Sequence, residues 1–90
     1  MSEITSKYSL APGTQVREED FGLLFYTQTG PRLYFLPSRD LLGCGVFDGN
    51  TTVSQWLVDH DAYQTASAQE VQSLNKALEQ LKDKGVLIGF

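Results

Sequence analysis

The sequence predicts an α+β fold in which a three-stranded antiparallel sheet is followed by three helices. Two observations predict it. Residues Phe21 to Leu36, FGLLFYTQTGPRLYFL, alternate like a β-hairpin with strands Leu23–Gln28 and Arg32–Leu36. After Leu36 the apolar residues stop alternating, and the end of the chain carries them at helical spacing. Because the strands come first and the helices last, we expect a small sheet with helices beside it, and 90 residues fit a single domain.

The hairpin turn is formed by Thr29, Gly30 and Pro31, where Gly30 supplies a positive φ and Pro31 fixes φ at the start of the second strand. Side chains alternate across each strand. Leu23, Phe25 and Thr27 face one way, opposite to Leu24, Tyr26 and Gln28; Leu33 and Phe35 face away from Arg32, Tyr34 and Leu36. Both faces are therefore apolar, so the rest of the chain or a partner must cover the second one. The sequence leaves open which face is core and which is a groove.

The third strand of the sheet comes from the residues before the hairpin. Lys7–Leu10 and Gln15–Glu18 flank a Pro-Gly turn, and we expect Gln15–Glu18 to pair with the hairpin. Residues 1–6 contain nothing that would anchor them, so we expect them to be disordered.

Two short helices follow the sheet. Ser38 is positioned to cap the first, which buries Leu41 and Leu42 and ends near Phe47. Gly43 and Gly45 keep this helix weak. The second begins at the capping box Thr52-Val53-Ser54-Gln55 and has an apolar side made of Val53, Trp56 and Leu57.

The last helix has the strongest signals. Ser67-Ala68-Gln69-Glu70 is a capping box, and Gly85 is placed to end the helix before the extended tail Val86–Ile88. Val71, Leu74, Leu78 and Leu81 follow the cap at spacings of three, four and three. Such a stripe is more typical of a core than of a binding groove.

Charge and composition exclude several classes of protein. Seven basic and eleven acidic residues give a net charge of −4, and the basic residues are scattered, whereas nucleic-acid binding needs a basic stripe. No apolar stretch has the roughly 18 to 20 residues of a membrane span. Cys44 is the only cysteine, and the N-terminal residues do not resemble a secretion signal, so we expect a cytoplasmic protein.

The residue types that carry catalysis are sparse. His60 is the only histidine, and its neighbours Asp59 and Asp61 are too generic to indicate a metal site. Cys44 lies between two glycines without a second cysteine or a base nearby in the sequence. We therefore expect no catalytic residue and no metal ligand, and a protein that is not an enzyme.

The chain resembles the mycofactocin-biosynthesis chaperones within the PqqD-like family. The resemblance covers about residues 8–88 and is carried by FGLLFY at 21–26, RLYFL at 32–36 and the pair Leu41-Leu42. Asp48-Gly49 followed by Thr52-Val53 is similar to the DG…TV junction of PqqD-like proteins.

The resemblance implies a winged-helix-like RiPP recognition element without a cofactor. Such a domain binds the leader of a ribosomally made precursor peptide and presents it to a radical S-adenosylmethionine enzyme. The leader adds as an antiparallel strand beside the third strand, next to the third helix. The residues expected to bind it are Arg32, Leu33, Tyr34, Phe35, Leu36, Val71, Leu74, Asn75 and Leu78.

Two alternatives stay open. The sheet edge that takes a leader could instead pair with a second copy, which would make the chain a homodimerisation module. A winged-helix DNA-binding domain would share the helical order, but the charge of −4 argues against it.

Overall fold

Two three-stranded antiparallel sheets and two α-helices form the part of the chain that the structure describes. The structure is a computed structural model, and it describes residues 6–28 and 32–90. Its strands are β1 Lys7–Leu10, β2 Thr14–Glu19, β3 Gly22–Thr27, β4 Arg32–Leu36, β5 Asp48–Thr52 and β6 Leu87–Gly89. Its helices are α1 Val53–Asp59 and α2 Ala68–Asp83. The α+β class and the three-stranded antiparallel sheet are confirmed.

The hairpin and its third strand form the sheet β2-β3-β4. Gln15 pairs with Tyr26, and Tyr26 pairs with Leu33 in turn, so β3 is the central strand. Leu23, Phe25 and Leu36 are buried on one face, while Leu33 and Phe35 are exposed on the other. The face that the sequence left undecided is thereby assigned: Leu23 and Phe25 face the core. The predicted turn at residues 29–31 lies outside the described residues.

A second sheet was not expected from the sequence. Its order is β5-β1-β6, and both neighbours of β1 come from distant parts of the chain. Lys7 pairs with Thr52, and Tyr8 pairs with Gly89. The tail after α2 is therefore extended, as predicted, and it is also a paired strand. The disorder predicted for residues 1–6 concerns residues of which only Ser6 is described. The Ser6 carbonyl accepts a hydrogen bond from the Val53 amide at 3.2 Å.

The first of the three predicted helices is absent from the described residues. Ser38 caps no helix, because its hydroxyl has no hydrogen-bond partner there, and the segment ends in a 3₁₀ turn, Cys44–Phe47. The reason is tertiary: a Cβ at Gly43 would lie 3.0 Å from the Trp56 ring, and one at Gly45 would lie 3.2 Å from it. The indole of Trp56 packs against the two glycines, where a larger side chain would not fit. The prediction of three helices is therefore corrected to two α-helices. The winged-helix-like arrangement is not confirmed.

Both α-helices begin where the sequence indicates. The Thr52 hydroxyl accepts a hydrogen bond from the Gln55 amide, and Ser67 and Glu70 form the predicted capping box at the start of α2. Val71, Leu74, Leu78 and Leu81 are all buried. Neither helix has the length and apolar character that crossing a membrane requires; this statement covers the described residues.

One core joins both sheets to α2. It includes Tyr8 from β1, Phe25 from β3 and Leu78 from α2, each at most 1% exposed. Because the Tyr8 hydroxyl is carried into this core, it needs a partner, and it donates to the Glu79 carboxylate at 2.5 Å. Lys82 donates to the same carboxylate at 3.0 Å. Burial and the Glu79 hydrogen bond raise the pKa of Tyr8, while the Tyr8 hydroxyl and Lys82 lower the pKa of Glu79.

Candidate functional site

The helix α2 runs beside β4 in the opposite direction. A cavity joins the end of β4, at Leu36, to residues in the first half of α2. Tyr34, in the middle of the strand, lies under Lys84, the residue that caps the end of α2. A sixteen-residue helix is about 24 Å long and a five-residue strand about 17 Å, so the helix is long enough to reach both ends of the strand.

The cavity at the Leu36 end, which we call the groove, has a volume of about 290 Å³. Its apolar wall is formed by Leu36, Pro37, Leu41, Leu74 and Ala77, and its polar side by Ser38, Ser67, Gln69, Glu70 and Ser73. An apolar floor with a few polar groups at the margin is the usual composition of a ligand site. The volume is near the lower limit of about 300 Å³ for drug-sized ligands, so the groove suits one or two side chains.

An ion pair adjoins the groove at Glu70. Arg39 donates from Nε to the Glu70 carboxylate at 2.9 Å and reaches the Thr65 carbonyl at 3.4 Å. The Ser67 amide also donates to Glu70, at 3.2 Å. The Ser67 amide and then the Arg39 guanidinium lower the pKa of the Glu70 carboxyl. These contacts tie the segment after β4 to the start of α2.

Ser38 is a buried polar residue of the groove whose side chain has no partner among the described residues. It is 2% exposed, and its hydroxyl forms no hydrogen bond with any described residue. Its amide donates to the Leu36 carbonyl at 2.8 Å, and its carbonyl accepts from Leu41 at 2.9 Å. The backbone of Ser38 is therefore paired while its side chain is not, and a buried unpaired hydroxyl is energetically costly.

The edge of β4 has no strand beside it among the described residues, because β4 ends the order β2-β3-β4. Unpaired backbone groups along a strand edge are a template for a further strand. Of the nine residues expected to bind peptide, the five of β4 lie on this edge. Leu33 and Phe35 are 64% and 50% exposed, whereas Leu36 is 2% exposed.

The four helix residues of the predicted site differ in where they lie: one lines the groove, two are buried in the core without lining it, and one is exposed. Leu74 is 5% exposed and forms part of both the core and the groove wall. Val71 and Leu78 are buried in the core, and neither lines the groove; Asn75 is exposed and also lies outside the lining. Of the four helix residues, Leu74 reaches the groove.

Sequence reasoning missed four helix residues of the groove, Gln69 and Glu70 in the first turn of α2 and the small residues Ser73 and Ala77. Ser73 and Ala77 line the groove together with Leu74. The three residues follow the spacing of one helix face, i, i+1 and i+4, so the signal was available as neighbours of the Leu74 position. The prediction rested on the apolar stripe of α2, whereas small residues leave the space that makes a groove.

A second apolar surface lies on the other face of the same sheet. It consists of Leu24, Tyr26, Leu33 and Phe35, and we call it the outer patch. A strand added at the β4 edge would place alternate side chains toward the groove and toward the outer patch.

Cys44 and His60 each contact another residue of the chain. The Cys44 thiol donates to the Val16 carbonyl at 3.8 Å, and burial together with Glu18 raises its pKa. His60 stacks on Trp56 with ring centroids 3.9 Å apart. No group of three or more potential metal ligands occurs within residues 6–28 and 32–90.

A family model described as the peptide chaperone MftB family matches residues 7–88, which run from the start of β1 into β6. No curated protein and no solved structure matches the chain.

Proposed function

The chain belongs to the peptide chaperone MftB family, and from this premise we propose that it binds the leader of a ribosomally made precursor peptide by strand addition to β4. The bound peptide is presented to a radical S-adenosylmethionine maturase of a mycofactocin-type pathway, in the cytoplasm. The chaperone itself is not catalytic and carries no cofactor.

The observation that carries the proposal is the edge of β4, beside which residues 6–28 and 32–90 place no further strand, together with the groove next to it. An exposed apolar edge promotes aggregation unless a function uses it. Strand addition uses the edge for backbone hydrogen bonds and the adjoining pockets for alternate side chains. The edge and the groove therefore supply the two parts that this mode of recognition needs.

The energetics assign different tasks to these two parts. A backbone hydrogen bond contributes only about 0.5 to 1.5 kcal/mol net, and it does not depend on the side chain of the peptide. Sequence preference must then come from the groove, where one aliphatic side chain would pack on Leu36, Leu41 and Leu74. The outer patch receives the residues on either side of that anchor.

The proposal is tested with displayed random peptides of twelve residues, selected on the wild-type chain. Ser73→Trp places a large ring in the groove from an exposed helix position, and serine and tryptophan have similar helix propensity. We expect selected peptides to lose at least about tenfold in affinity, or 1.4 kcal/mol. The matched control is Gln72→Trp, since Gln72 is the adjacent exposed residue and does not line the groove.

If Ser73→Trp and Gln72→Trp bind the selected peptides with equal affinity, the peptide lies outside the groove. If no peptide can be selected on the wild-type chain, the proposed function is refuted. Circular dichroism checks that both variants keep their helices.

The enzyme partner requires a separate experiment. A maturase of the mycofactocin type and its precursor peptide would be combined with and without this chain, and peptide modification measured by mass spectrometry. We expect modification to depend on the chaperone and to fail with Ser73→Trp. Modification at an unchanged rate without the chaperone would refute the presenting role.

A second copy of the chain is the other candidate occupant of β4. The observation that favours it is the exposure of Leu33 and Phe35 beside the free edge. Sedimentation distinguishes the two occupants, because a dimer held through β4 should dissociate when a selected peptide is added. A dimer that persists with peptide bound uses a different surface.

A further inference from the structure

Two positive charges lie at the end of β4 opposite to the groove. Arg32 begins β4 and Lys84 caps α2, and both line a cavity of about 360 Å³. The Lys84 Nζ lies 5.4 Å from the centroid of the Tyr34 ring, within the range of a cation–π contact. Because Arg32 and Tyr34 are two residues apart on one strand, they share a face.

Neither cation is neutralised by the described part of the chain. Salt bridges pair Arg17, Arg39 and Lys82 with carboxylates, but no described carboxylate pairs with Arg32 or Lys84. This is notable in a chain of net charge −4, where acidic residues outnumber basic ones by eleven to seven. Like charges on one small cavity repel each other, and an anion between them would relieve that repulsion.

The remaining residues of the cavity are suited to an anion. Thr14 pairs with Thr27 and Thr27 pairs with Arg32, so the three form a row across β2, β3 and β4. Both threonines line the cavity, and their hydroxyls are potential donors. In the part of the chain that the structure describes, no acidic residue lines it.

We propose that this basic pocket, formed by Arg32, Lys84, Tyr34, Thr14 and Thr27, binds the carboxylate of an Asp or Glu side chain in the bound peptide. The inference rests on the proposed function, since the pocket lies at the far end of the strand that would pair with the peptide. A guanidinium matches a carboxylate with two parallel hydrogen bonds, and a nearby ammonium adds charge.

The positions of the two cavities determine a spacing. Leu36 lines the groove and Arg32 lines the basic pocket, four residues apart along β4. Residues separated by an even number on a strand face the same side. A peptide strand along β4 would therefore carry its aliphatic anchor and its acidic residue on one face, roughly four residues apart, both directed toward α2.

The experiment uses the peptides selected on the wild-type chain. We expect the selected twelve-residue peptides to be enriched in Asp or Glu at a fixed distance of about four residues from an aliphatic residue. The same library is then selected on Arg32→Gln/Lys84→Gln, where the acidic position should be lost and the aliphatic one kept. For an acidic peptide selected on the wild type, we expect this variant to weaken the affinity about three- to tenfold, as befits partly exposed charge pairs.

Lys7→Gln/Lys76→Gln is the matched control, because it removes two positive charges from exposed residues outside the cavity. An equal loss of affinity in the control would show that the loss depends on the net charge of the chain rather than on the pocket, and it would overturn the inference. Selected peptides without an acidic position would do the same while leaving the proposed function intact. Saturable binding of inorganic phosphate, together with no acidic enrichment, would assign the pocket to a free anion and also overturn it.

Discussion

The substitution Gly22→Ala tests why the sequence FGLLFY has a glycine at its second position. Gly22 has a φ of +157°, and a Cβ there would lie 1.9 Å from the Leu36 carbonyl oxygen and 2.8 Å from the Ser38 nitrogen. Both neighbours are backbone atoms, so no side chain can move aside. Ordinary van der Waals contact begins at 3.4 Å, which means that the end of β4 would have to move by more than 1 Å.

The cost of that movement follows from what it breaks. The Ser38 amide would lose its bond to the Leu36 carbonyl, and the Arg39 amide its bond to the Phe21 carbonyl. Two lost hydrogen bonds and a strained backbone amount to about 3 to 5 kcal/mol of the free energy of unfolding. This is a large share of the roughly 5 to 15 kcal/mol that stabilises a domain.

Gly85→Ala is the control, measured together with Gly22→Ala by urea unfolding. Gly85 also has a positive φ, +79°, but nothing lies within 4 Å of a Cβ at that position. Only the conformational cost of about 1 to 2 kcal/mol should appear there. The reasoning is refuted if Gly22→Ala costs no more than Gly85→Ala.

Three further predictions concern polar groups. Ser38→Ala should raise the free energy of unfolding by about 1 kcal/mol, because it removes a buried hydroxyl without a partner; destabilisation in urea would show that the hydroxyl is paired. Tyr8→Phe should cost about 1 to 2 kcal/mol through loss of the bond to the partly exposed Glu79 carboxylate, and an unchanged urea midpoint would contradict this. The pKa of Asp48, Glu70 and Glu79 is lowered by hydrogen bonds, so thermal stability should be level near neutral pH and should fall below about pH 4.5 as these groups take up protons; a midpoint that rises on acidification would refute the assignment.

The elements that the sequence predicts well are those with local causes. The strands β3 and β4 are encoded by alternation, and α2 is encoded by its cap at Ser67 and its apolar stripe. The second sheet could not be predicted in this way, because β1 pairs with β5 and β6 across more than forty and more than seventy residues, Lys7 with Thr52 and Tyr8 with Gly89. Its strands are also short, with little alternation of their own.

The incorrect helix after β4 has a specific cause. A capped helix is compatible with Ser38, Leu41 and Leu42. However, the Trp56 ring packs against Gly43 and Gly45, and Trp56 lies more than ten residues later in the chain. In the candidate site, too, one part has a local cause and the other depends on tertiary contacts. The edge strand could be predicted, but the groove depends on how closely Ser73 and Ala77 approach the segment after β4, and this distance is set by tertiary packing.

The most direct test of strand addition is amide hydrogen exchange of the chain alone and with a selected peptide, followed by NMR. Amides alternate in direction along β4, so either Leu33 and Phe35 or Arg32, Tyr34 and Leu36 direct their N–H groups to the free edge. We predict that peptide slows exchange of that alternate set at least about tenfold, while the amides on the outer edge of β2 exchange as before. Protection on β2, or peptide binding without added protection on β4, would contradict the account.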